Sequence, residues 1–143
     1  MMRLVLLDAN ILIGALDGEP GNDAHDDALR KFEELANDPG VKLAISPLVR
    51  YEVLRGMSED DIDFVNAQLN DMKEFEVRGI EAIRAAEVFR RARQQDIKLD
   101  KRKFDVFHCV CAELNDLELL SKDADIETIQ NLMKAVDENA QAH

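Results

Sequence analysis

The sequence predicts an α/β protein built on a central parallel sheet of four or five short strands flanked by helices. Three observations carry that expectation. Short unbroken apolar runs, such as Leu4-Val5-Leu6-Leu7, suit strands covered on both faces, as in a parallel sheet. These runs alternate with longer segments whose apolar residues recur at helical spacing. The chain of 143 residues, 46% apolar, can bury one substantial core, and no repeat or linker divides it, so residues 1–143 are expected to form a single domain.

The elements follow in order. Arg3 to Leu7 is the first strand, with Asp8 at its end. Apolar residues resume at Ile11, Leu12, Ile13 and Leu16 as a short helix, broken at Gly18-Glu19-Pro20-Gly21. Asn22 to Asn37 presents Ala28, Phe32, Leu35 and Ala36 on one face of a second helix, ended by Asp38-Pro39-Gly40. Val41 to Ile45 is the second strand. Ser46-Pro47 then starts a helix, serine as N-cap and proline in the first turn, and the helix stops near Gly56. Ser58 with Asp61 opens the next helix, with Ile62, Val65 and Leu69 inward. A short third strand is expected at Glu74 to Val77 and a long helix from Ile80 to Gln95. Phe104 to Asn115 reads as a buried helix, Leu117 to Leu120 as the fourth strand, and Asp125 to Ala135 as the last helix, with 138–143 frayed.

Charge and cysteine content exclude several classes. A formal charge of −12 keeps the chain soluble and repels bare phosphate backbone. No apolar run reaches the length of a membrane span, and the stretch MMRLVLLDAN is too short in apolar residues for a signal peptide, so no membrane association and a cytoplasmic location are expected. Cys109 and Cys111 point about 200° apart on a helix, which excludes a shared metal or a mutual disulfide and leaves two small core side chains.

Acids at strand ends carry the chemistry, because open parallel sheets bind ligands outside the carboxyl ends of their strands. Asp8 ends the first strand and Asp123 follows the fourth, while Glu52 and Asp105 stand in apolar company on helices. Carboxylates converging on one point repel each other unless a cation sits between them. Oxygen ligands of this kind select Mg²⁺ or Mn²⁺, ions suited to phosphodiester hydrolysis.

The stretches Leu6-Leu7-Asp8-Ala9-Asn10-Ile11-Leu12, Ile45 to Gly56, Asp105 to Ala112 and Leu119-Leu120-Ser121-Lys122-Asp123 together resemble the motifs of PIN-domain ribonucleases, in particular VapC-type toxins of toxin–antitoxin pairs. The resemblance implies a three-layer PIN-like fold and an endoribonuclease dependent on Mg²⁺ (or Mn²⁺). It implies Asp8, Glu52, Asp105 and Asp123 as catalytic acids, with Asp8, Asp105 and Asp123 on the metal and Asn10, Ser46 and Ser121 in support. It further implies an RNA substrate, a cognate antitoxin and a homodimer. Two features depart from the family pattern. Phe107, His108 and Cys109 stand where small residues usually follow the third acid, and Asp125 competes with Asp123 for the fourth position.

His108, three residues after Asp105, is expected to be a hydrogen-bonded core histidine rather than a catalytic group, although one helical turn puts it on the same side. Arg50 and Arg55 flank Glu52, to contact RNA or to form surface ion pairs. Between Arg90 and Lys103, seven bases oppose only Asp96 and Asp100, a net +5 that leaves −17 for the rest of the chain. This segment runs into Asp105, so Lys101, Arg102 and Lys103 are the expected RNA-binding residues. The alternative to an enzyme is an inactive PIN-like scaffold that holds a basic partner. A receiver domain would need paired acids near the first strand, and a haloacid-dehalogenase phosphatase an aspartate at Asn10.

Overall fold

The computed structural model describes residues 2–17, 21–121 and 124–141. Strand β1 (Arg3–Leu7) lies between β2 (Val41–Ile45) and β4 (Glu118–Leu120), and β3 (Lys73–Glu74) adds to the far side of β2, giving the order β3-β2-β1-β4. Every pairing is parallel, with Leu6 opposite Ala44 and Leu119 and Leu7 opposite Leu120. All four strands therefore end at the same edge, where the chain emerges as Asp8, Ser46 and Ser121 on three adjacent strands.

Alternation along the strands divides the core between the two faces. Val5, Leu7, Leu43 and Ile45 point to helices α1 (Ala9–Asp17), α3 (Pro47–Arg55) and α4 (Glu59–Asn70), against Leu12, Val49, Val53, Val65 and Leu69. Leu6 and Ala44 face the other way, against Cys111 and Ala112 of α6 (Lys103–Leu114). A further cluster joins α6 to α5 (Gly79–Gln94) and α7 (Asp125–Gln141) through Val88, Val106, Val110 and Ile129. Helix α2 (Asp23–Ala36) packs on α1, where a Cβ on Gly14 would come within 3.0 Å of the Ala28 Cβ. The result is three layers, helices on both faces of a four-stranded parallel sheet, as expected.

Two boundaries differ from expectation. The third strand is Lys73–Glu74 and not Glu74 to Val77, because its partner β2 ends at Ile45 and turns into α3 at Pro47. Beyond the bond from the Phe75 amide to the Ile45 carbonyl the segment has no β2 backbone to pair with. Helix α7 runs to Gln141, past the expected 125–135, held in part by Arg84, which pairs with Asp137 at 2.9 Å.

Cys109 and Cys111 are both buried and free, on different sides of α6 as their spacing requires. Burial above all, then the Asp105, Asp8 and Glu113 carboxylates, pushes the Cys109 thiol up to about 12, and burial likewise raises Cys111. At pH 8 such a thiol is on the order of 10⁻⁴ thiolate. Alkylation of the folded protein at pH 8 is thus expected to be negligible over a period that labels both thiols in urea; rapid labelling of one thiol in the native protein would refute this.

Candidate active site

Asp8 leaves β1 at the centre of the sheet edge and is only 2% exposed. Its orientation is set from both sides. Ser121, at the end of β4, donates its hydroxyl to Asp8 Oδ2 at 2.7 Å, and the Asn10 amide, in the first turn of α1, donates to Oδ1 at 3.2 Å. The helix terminus also presents its positive end to the carboxylate. Ser46, buried at the end of β2, accepts the Val49 amide and so caps α3, as its sequence position predicts.

Asp105 approaches from the first turn of α6, on the other side of the sheet edge, and is half-buried. One turn on, His108 is 1% exposed. One ligand atom from each of Asp8, Asp105 and His108 lies within 4.8 Å of the others, a grouping close enough to share one ion. Glu52, from α3, accepts a hydrogen bond from His108 Nε2 at 2.9 Å. The opposite ring nitrogen, Nδ1, is buried with no hydrogen-bond partner among the described residues. Two carboxylates close to an imidazole that has one orphaned nitrogen fit a divalent cation, which would satisfy all three groups at once.

The expected fourth acid, Asp123, lies outside the described residues. Its competitor Asp125 begins α7 and pairs with Arg102 Nε at 2.7 Å. Arg102 also reaches to 4.0 Å from Asp105. The basic residues Lys101, Arg102 and Lys103 rim a cleft of about 290 Å³ into which Asn10, Glu52, Arg55 and Asp105 open. Arg55 stacks over Tyr51 with its guanidinium carbon 5.5 Å from the ring centroid. Arg50 is a structural ion pair, bonded to Glu74 at 2.8 Å and to Asn66 and Asn70.

His108 is the buried, hydrogen-bonded histidine expected, and the structure adds its neighbours, Glu52 at Nε2 and the Asp8–Asp105 pair close to the ring. The signal in the sequence was its one-turn spacing from Asp105. What the spacing could not supply is Glu52, 56 residues away along the chain.

Carboxylates gathered where the strands of a parallel sheet end, beside a basic rim, define an α/β protein with its polar site at the carboxyl ends of the strands. Within that class, the model of the PIN domain matches residues 5–132, and the chain belongs to the PIN domain family. Its fold is shared with solved structures, among them these two. A chain of VapBC2 from Rickettsia felis, crystallised bound to a DNA fragment from their promoter, matches with a TM-score of 0.67 and 17% identity over 90% of this chain and 94% of that one. A chain of a toxin–antitoxin complex from Klebsiella pneumoniae matches with a TM-score of 0.63 and 22% identity over 83% and 86%. No curated protein matches the sequence.

Proposed function

We propose that this protein is a divalent-metal-dependent endoribonuclease and the toxin of a toxin–antitoxin pair. The observation that carries the reading is the convergence of Asp8 and Asp105, from two elements far apart in sequence, next to a basic cleft. Mg²⁺ or Mn²⁺ bound there would polarise the scissile phosphate and lower the pKa of an attacking water. The chain's own residues do the rest. Asp8 and Asp105 hold the ion, with Asp123 as a further ligand and catalytic acid, and Glu52 completes the acidic set. Ser121 and the Asn10 amide keep the Asp8 carboxylate in one orientation, and Ser46 fixes the start of the helix that carries Glu52. Lys101, Arg102 and Lys103 draw the phosphate backbone into the cleft against the repulsion of a chain at −12.

The fold shared with chains of two toxin–antitoxin complexes supports an antitoxin partner. An arginine from such a partner would suit the carboxylates of the cleft. Exposed Ile80 and Ile83 on α5 support self-association as a homodimer. Among the described residues no helix is long and apolar enough to cross a membrane.

Incubation of the protein with structured and single-stranded RNA, with Mg²⁺ or Mn²⁺ and with chelator, tests the activity. Cleavage with internal cuts, abolished by chelator, is expected. Tight binding of basic proteins with no cleavage under any metal would instead establish the scaffold alternative.

The basic rim yields a separate prediction. Lys101→Ala with Lys103→Ala should weaken RNA binding across sequences and reduce the log–log salt slope by about 0.7 per lost contact on a single strand. Arg102→Ala should add less, because its guanidinium already pairs with Asp125. An unchanged slope in fluorescence anisotropy titrations at several salt concentrations would place RNA elsewhere.

A further inference from the structure

We infer that His108 is a direct nitrogen ligand of the cation and that this site consequently prefers Mn²⁺ to Mg²⁺. The inference rests on the metal-dependent reading above and deepens it, since oxygen ligands alone do not separate the two ions strongly.

The hydrogen bonds of the His108 ring set its tautomer. Nε2 stands 2.9 Å from Glu52 Oε1, an acceptor, so the proton of the imidazole lies on Nε2. That leaves Nδ1 with a lone pair, buried in a residue 1% exposed and with no donor beside it among the described residues. A bare lone pair in the interior is costly unless something electron-poor meets it. Two carboxylates are near, since Asp8 and Asp105 each bring a ligand atom within 4.8 Å of a His108 nitrogen and of one another. A cation among these groups would meet the lone pair and both carboxylates together.

Glu52 then has a defined part. A histidine that ligates a metal commonly donates its other N–H to a carboxylate, which fixes the ring and raises the basicity of the ligating nitrogen. Glu52 is placed to do this for His108, as a positioning residue turned toward the ring. Between the two ions, an imidazole among the carboxylate oxygens is what discriminates. Mg²⁺ takes oxygen ligands and parts reluctantly with its waters, whereas Mn²⁺ accepts carboxylate and imidazole together.

The test uses the purified protein with each metal alone. Titration calorimetry is expected to show Mn²⁺ bound about tenfold more tightly than Mg²⁺. Pulsed electron paramagnetic resonance of the Mn²⁺ complex should show coupling to one directly bound ¹⁴N nucleus. His108→Asn, which puts an amide near the Nδ1 position, should abolish that coupling and bring Mn²⁺ affinity down to about that of Mg²⁺, with Mg²⁺ affinity nearly unchanged. Glu52→Gln, which keeps an acceptor for Nε2–H, should retain the coupling. If His108→Asn fails to fold, the wild-type resonance spectrum still decides. Mn²⁺ bound without nitrogen coupling, and no more tightly than Mg²⁺, overturns this inference and leaves the metal-dependent nuclease intact. Failure of both ions to bind at millimolar concentration overturns both.

Discussion

An Asp8→Asn variant is expected to lose RNA cleavage on the order of a thousandfold, equivalent to about 4 kcal/mol of transition-state stabilisation. The size follows from the position of this carboxylate. It leaves the central strand between the ends of β2 and β4, is 2% exposed, and is aimed by Ser121 and by the Asn10 amide. Asparagine is nearly isosteric. Its amide oxygen still accepts from the Asn10 N–H, and its NH₂ can donate to the Ser121 oxygen, so the local fold persists while the negative charge is gone. In chelator the variant is expected to melt at the wild-type temperature or above it, because a buried anion close to Asp105 has been removed. Cleavage assays with excess Mn²⁺ and thermal melts without metal provide the two readouts. Cleavage within tenfold of wild type would remove Asp8 from the proposed chemistry; a marked fall in melting temperature would show that the carboxylates are not repelling each other.

The largest effect on stability is expected at Arg78, far from the cleft. At the start of α5 the Glu81 carboxylate is 1% exposed and accepts from the Arg78 guanidinium at 2.7 and 3.0 Å and from the Arg78 amide at 3.2 Å. Arg78→Ala leaves that carboxylate buried without its cation and should lower the melting temperature by several degrees. Glu81→Gln should cost less, because the half-exposed guanidinium left behind can turn to water. Burial alone would raise the Glu81 carboxyl, but the Arg78 side chain together with backbone donors outweighs it and holds the group below its ordinary 4.5. A carboxyl lowered by folding stabilises at pH values above its unfolded pKa. The contribution of Glu81 is therefore complete above about pH 4.5 and is lost as the pH falls through the lower, folded value. Urea titrations at pH 7 and pH 3 should show the gap between wild type and Glu81→Gln narrowing in acid. A constant gap would mean that the pair contributes through packing and not through charge.

The parts of the molecule visible in the sequence are those set by short-range pattern. Leu4 to Leu7 read as a strand because four apolar residues in a row suit a sheet covered on both sides, and Val41 to Ile45 is nearly as apolar, broken only by Lys42. Ser46-Pro47 marked the start of α3 because an N-cap needs only its own next turn. The third strand was misplaced because a two-residue strand exists only where a neighbour offers backbone, and β2 stops offering it at Ile45. Nothing near Arg102 in sequence reveals its pairing with Asp125.

By itself the sequence determined that strands and helices alternate and that the sheet is parallel, and with that, that Asp8, Ser46 and Ser121 leave the sheet at one edge. The reason is that periodicities of two and 3.6 residues, and the capping chemistry between them, are local properties of the chain. Only the tertiary structure decided which donors meet there. Asp105 and His108 reach Asp8 because α6 packs its small Cys111 and Ala112 against Leu6 and Ala44, and Glu52 turns to His108 because α3 crosses the opposite face of the sheet. Those distances are set by the volumes of side chains between layers, and no spacing along the chain encodes them.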